Sequence, residues 1–158
     1  MSLARNLALL FRRDLSRLIQ QIDAFPDDET LWLRLPGITN SAGNLALHIE
    51  GNLREYIGRQ IGKLPYDRMR DLEFSSKGLP KADLRARLAE LNDVIPSAVS
   101  ELSSEQMLSE YPEVVLEKPL STQEFLIHLY GHLNWHLGQV DYLRRALSGN
   151  GAIERAGL

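Results

Sequence analysis

Apolar residues recur along this chain at helical spacing in four long stretches. Leu3, Leu7, Leu10, Leu15, Leu18 and Ile22 mark a first helix over roughly residues 3–24. Phe25-Pro26-Asp27-Asp28 ends it, and a linker carrying Trp32 and the Pro36-Gly37 turn signal runs to about Thr39. A second helix follows from about Ser41 to Lys63, with Leu45, Ile49, Leu53, Tyr56 and Ile57 on its inner face. Residues 64–78, LPYDRMRDLEFSSKG, read as a charged connection. Leu84, Leu88, Leu91, Ile95, Ala98 and Leu102 predict a third helix over about 80–102, with Pro96 expected to kink or restart it. Residues 103–120 read as irregular, with a short extended piece near Val114–Leu116. The fourth helix opens on a capping box, Ser121 with Glu124, and runs to about Leu147. Gly149 and Gly151 follow, and the tail is expected to be loose.

Four long amphipathic segments without a convincing strand predict an all-α protein, a four-helix bundle with long connections. The length of 158 residues suits a single domain over residues 1–158. Trp32 is expected to cover one end of the bundle.

Composition narrows the chemistry. The chain is 44% hydrophobic and 25% charged, with a net charge of −3 at pH 7. No basic stripe appears, so nucleic acid is not an expected partner. There is no cysteine, which removes disulfides, thiolate ligands and a cysteine nucleophile. The opening MSLARNLALLFRRDL is interrupted by Arg5, Arg12, Arg13 and Asp14, so it fits neither a signal peptide nor a membrane span. The expected compartment is the cytoplasm.

The chain has four histidines, and three of them, His128, His132 and His136, stand at steps of four in the last helix. Each step of four advances about 40° around a helix axis. On that wheel His132 and His136 fall inside the apolar face defined by Leu129, Leu133, Val140 and Leu143. His128 falls at its edge. Two inward imidazoles one turn apart can grip one metal ion, and His48 on the second helix could complete a set of three. Such a set resembles catalytic metal sites, which leave a coordination position open. The alternative is a polar pocket in which these histidines find partners or water. His48 also starts a polar line with Asn44 and Asn52 at four-residue spacing, which suggests a wet or metal-filled interior at that level. Neither Glu50 nor Glu55 shares the His48 face. Asn44, Asn52 and Gln139 are candidates for orienting a ligand or substrate. Arg68, Arg70 and Glu73 read as ion-pairing residues that tie down their connection. HLNWH lacks the general-base glutamate of a zinc protease, with Leu133 in its place, and no nucleophile elbow, phosphate loop or dinucleotide fingerprint is present.

The segments NSAGNLALHIEGNLREYI and HLYGHLNWHLGQVDYLRR, with DRMRDLEF between them, resemble the DinB/YfiT-like family of small metal-binding four-helix proteins. The resemblance spans essentially the whole chain and implies an up-down-down-up bundle and frequent homodimers. It places the family's three metal ligands on His48, His132 and His136, with Gly138-Gln139 as the G-Q that follows the last ligand. Trp135 stands where tyrosine is expected. A divalent ion such as zinc or nickel is implied, and so are transferases and an isomerase that use low-molecular-weight thiols. The expected function is therefore a metal-dependent transferase acting on a small-molecule substrate with a metal-activated thiol. A metal-dependent hydrolase and a non-catalytic dimeric stress-response protein are the alternatives.

Overall fold

The structure is a computed structural model, and it describes residues 2–153. Its regular elements are helical. They are α1 (Leu3–Asp23), α2 (Asp28–Trp32), α3 (Ala42–Leu53), α4 (Arg70–Ser75), α5 (Lys81–Ser100), α6 (Ser104–Leu108) and α7 (Thr122–Ser148). Helix α3 runs on into a π-helical turn, Arg54–Arg59. No strand occurs among the described residues, which contain only two isolated bridges. Among the described residues, no helix is long and apolar enough to cross a membrane.

The four longest helices, α1, α3, α5 and α7, share one core, and α1 packs most extensively on α5. Leu7, Phe11, Leu15, Leu18 and Ile22 of α1 meet it at the spacing the sequence shows, as do Leu84, Leu88, Leu91 and Ile95 of α5. Pro96 does not restart α5, which is a single helix through that position and buries the proline.

Three short helices lie in the connections, where irregular chain was expected. Asp27 caps α2 by accepting from the Thr30 amide. Ser103 and Gln106 form a capping box on α6. Helix α4 interrupts the 64–78 connection. The piece near Val114–Leu116 is confined to a single isolated bridge, Val115 with Lys118. It leads into a tight turn in which Lys118 donates to the Val115 carbonyl and Leu116 and Glu117 both have positive φ.

Helix α3 departs most from an ordinary amphipathic helix, because every one of its residues is buried. Its outer side is covered by the connections rather than by water. Trp32 packs where Gly43 lacks a side chain; a Cβ there would lie 2.8 Å from the indole. The indole Nε1 donates to the Leu79 carbonyl at 3.0 Å, so Trp32 does act as a cover. Two turns further along, the Glu73 carboxylate occupies the space over Gly51, where a methyl group would overlap it. Asn44 holds the same connection: its Nδ2 donates to the carbonyls of Glu73 and Ser76, while its Oδ1 caps the helix at Ser41. Asn44 therefore fixes the backbone that carries Glu73 and does not face a ligand.

Helix α7 is keyed to α1 by a buried carboxylate. Asp14 is fully buried, accepts from Arg13 and Arg17, and takes the Tyr130 hydroxyl at 2.7 Å. At the other end, buried Arg144 donates to Gln21 and to the Gly151 carbonyl. The start of the tail is thus pinned where looseness was expected, and residues 154–158 lie outside the described residues.

Burial alone would raise the Asp14 carboxyl, but hydrogen bonds from Arg13 and Tyr130 outweigh it and hold the group below its ordinary range. A depressed folded value contributes stability above the unfolded carboxyl range and loses it as pH falls through the folded value. Asp14→Asn should destabilise the protein by about 1–3 kcal/mol at neutral pH, since the arginines left behind are partly solvated. Urea unfolding at pH 7 and at pH 3 should show this difference shrinking in acid.

Candidate metal centre

Three of the four histidines converge between α3 and α7. His48, His132 and His136 each offer a ring nitrogen, and these atoms all lie within 4.8 Å of one another. The His132 Nε2 is 3.2 Å from the His48 Nε2 and 3.1 Å from the His136 Nε2. Four nitrogens set tetrahedrally around zinc at ordinary bond lengths are about 3.3 Å apart, so both spacings match a shared ion. His48 is buried in the middle of α3, while His132 and His136 are half-buried on the inward side of α7. The helical spacing that predicted an inward pair on α7 is therefore correct.

The other nitrogen of two rings is held from behind. His48 Nδ1 donates to the Glu73 carboxylate at 2.9 Å. That carboxylate also accepts two bonds from Arg68, at 2.7 and 3.0 Å. Burial would raise the Glu73 carboxyl, but hydrogen bonds from His48 and Arg68 prevail and keep it ionised. His136 Nδ1 lies 2.7 Å from the Gln139 amide oxygen and donates to it. A neutral imidazole whose Nδ1 carries the proton has a bare Nε2. Two bare nitrogens thus face His132, which can offer at most one proton between them from its own Nε2. With all three rings neutral and no cation, at least one of these lone pairs has no partner within the cluster. The donor set fits a divalent ion bound by neutral imidazoles, with histidine orientation set by carboxylate and amide partners as in known metal sites.

Electrostatics point the same way. Burial, helped by the neighbouring His136, His48 and His128, pushes the His132 imidazole down to about 4. His136 is lowered mainly by burial, partly offset by its bond to Gln139. Both rings are neutral at pH 7, the form that ligates a metal.

The other candidates separate cleanly. His128 is exposed, lies outside the cluster and stacks on Phe125 with 9° between the rings. Gln139 orients His136 as the sequence suggested. Asn52 is buried and its Oδ1 has no partner. Glu50 points away from the histidines and pairs with Arg54 and Arg87. Arg68 and Glu73 do form the expected ion pair, but Arg70 instead stands over the Phe74 ring. Reading this connection as purely structural missed the contact of Glu73 with His48. His48 and Glu73 are 25 residues apart, so no spacing within one element could pair them. The available signal was Gly51, a glycine inside a helical pattern, which marks a close approach of another segment.

No protein-family model matches the sequence, and no curated protein matches it. Among solved structures, the crystal structure of a DinB-like protein from Bacillus cereus ATCC 10987 matches with a TM-score of 0.66. The match covers 89% of this chain and 91% of that one at 18% sequence identity. Fold and site together define an all-helical protein in which three histidines could hold a metal ion. More particularly, the fold is DinB-like, as the resemblance in the histidine segments implied.

The lowered His132 value has a measurable consequence. The unfolded ring takes up a proton near its ordinary value of about 6.5, while the folded ring resists until about 4. The unfolded state therefore binds more protons in that window, and the metal-free protein should lose stability as pH falls through it. Thermal unfolding of metal-free protein across this range should show the decline, and His132→Gln should flatten it.

Proposed function

We propose that this protein is a metal-dependent enzyme that holds one divalent ion on His48, His132 and His136 and uses a low-molecular-weight thiol to attack a small electrophilic substrate. The observation that carries the proposal is the set of three facing Nε2 atoms, two of them stripped of protons by partners behind the rings. The up-down-down-up course of a DinB-like bundle belongs to the same reading. A divalent ion such as zinc or nickel would supply a Lewis acid that favours the thiolate form of the cofactor.

The protein's own residues do the positioning. Glu73 keeps the His48 proton on Nδ1 and presents Nε2 inward, and Arg68 neutralises the carboxylate that does so. Gln139 does the same for His136 from solvent. The half-burial of His132 and His136 leaves one side of the cluster approachable. Three neutral ligands leave a tetrahedral ion one position short. Glu73 has both carboxylate oxygens occupied, so it is not free to act as a general base. A homodimer is part of the proposal as well. It is supported by the outward face of α7, where Trp135 and Tyr142 are 68% and 72% exposed.

Purified protein should contain one divalent ion per chain by elemental analysis, and His132→Ala should lose it. Glu73→Gln should keep the stoichiometry but bind about 10–100-fold more weakly in a chelator competition, because only the support behind His48 is altered. Gly51→Ala should behave in the same direction by displacing Glu73. Adding a small thiol to cobalt-substituted protein should produce thiolate-to-metal charge-transfer absorption. A spectrum unmoved by thiol would remove the transferase and leave a structural metal.

A further inference from the structure

A cavity of about 500 Å3 lies between the 35–40 turn, the start of α3 and the second half of α7, and the metal reading gives it no task. Its deepest side chains are Leu45 of α3 and Leu143 of α7, 4% and 6% exposed. Ile38 and Tyr142, 45% and 72% exposed, wall it from the turn and from α7. Pro36 and Gly37 shape that turn. Gly37 has φ 79°, and the Ile38 amide donates to the Leu35 carbonyl at 3.0 Å. The turn thereby brings Leu35 and Ile38 to the same cavity.

No carboxylate, ammonium, guanidinium or imidazole lines this space. Arg145 stands over the Tyr142 ring at the rim and is paired with Asp141. A charged ligand body would leave water there without a counter-charge. A volume of this size, mostly apolar with a few polar groups, is the ordinary form of a site for a small molecule.

Gln139 is the polar group that connects the cavity to the histidines. Its Oε1 takes the His136 Nδ1 proton at 2.7 Å, while the side chain also lines the cavity. Its Nε2, a donor, makes no hydrogen bond among the described residues. An acceptor placed on Nε2 polarises the amide and strengthens Oε1 as the partner of His136. A firmer bond behind a ligating imidazole raises the basicity of its other nitrogen.

We propose that this cavity binds a small uncharged molecule with an apolar body and a carbonyl-type oxygen that accepts from Gln139 Nε2, and that Gln139 relays its presence to His136. The relay rests on the metal reading above; the binding itself does not. By linkage, ligand and metal then strengthen each other's binding.

The test uses acetophenone as probe and benzoate, a charged molecule of similar shape, as its control. Both are titrated into metal-free protein while the Ile38 and Leu143 methyl and Gln139 side-chain amide resonances are followed by NMR. Acetophenone should shift all three, and benzoate should bind at least about tenfold more weakly. Gln139→Glu keeps an acceptor for His136 but removes the donor, and should weaken acetophenone about threefold to tenfold, the worth of one hydrogen bond. The two-probe comparison in unaltered protein decides the matter even if that variant does not fold. Equal binding of the two probes overturns the proposal, as does an absence of shifts at millimolar acetophenone or a Gln139 amide that does not respond. Ile38 and Tyr142 signals that answer to protein dilution and not to probe would mean that a second copy covers the cavity, which also overturns it. In a chelator competition, saturating acetophenone should tighten zinc binding severalfold, and an unchanged zinc affinity would overturn the relay. Acetophenone binding by protein that takes up no zinc would sustain the cavity while sinking the metal reading. Zinc uptake without acetophenone binding would do the reverse.

Discussion

The His132 Nε2 lies within hydrogen-bond distance of the Nε2 atoms of both His48 and His136, an arrangement that neutral histidines cannot satisfy among themselves. Glu73 and Gln139 have claimed the protons of His48 and His136 on the far side of each ring. His132 is then the sole source of a donor at the centre, and burial together with its neighbours keeps it from taking a second proton. The cluster has surplus lone pairs, which are the complement of a small divalent cation. The rest of the molecule is arranged so that these three rings can hold that geometry.

That requirement explains the burial of α3. A helix that presented His48 inward and water outward would have no rigid support behind the imidazole. Here the 64–78 connection lies along the outer side, and its Glu73 reaches in over Gly51. Asn44 fastens the backbone of that connection at two carbonyls, and Ser41 and Asn44 begin the helix with a reciprocal cap. One residue thus closes the helix end and locates the carboxylate. On the opposing helix, Asp14 and Tyr130 key α7 to α1 just before His132. The two histidine-bearing helices are each anchored by a buried carboxylate, one of which also touches the site.

The long helices and the pair on α7 were legible because each depends on spacing within one element, while His48 joined them through the resemblance. The inward pair His132 and His136 follows from helical angles alone, and His128 falls at the edge of the same wheel for the same reason. Glu73 was not legible, because its meaning depends on a tertiary approach across Gly51. The short helices α2, α4 and α6 escaped because five or six residues carry too little periodicity to stand out. The turn at Leu116 and Glu117 was missed because neither residue type favours positive φ. The polar line Asn44, His48, Asn52 was visible, but it resolved into three separate duties. Asn44 serves the backbone, His48 faces the histidine cluster, and Asn52 remains unpaired beside a cavity.

The central claim is that three histidines, and not four, meet at one ion. X-ray absorption at the zinc edge of zinc-loaded protein reads that coordination directly. The account predicts three imidazole nitrogens at about 2.0–2.1 Å, with one further light atom, and no change in the imidazole count for His128→Ala. A shell of four imidazoles that falls to three in that variant, or a shell containing no imidazole, would contradict it.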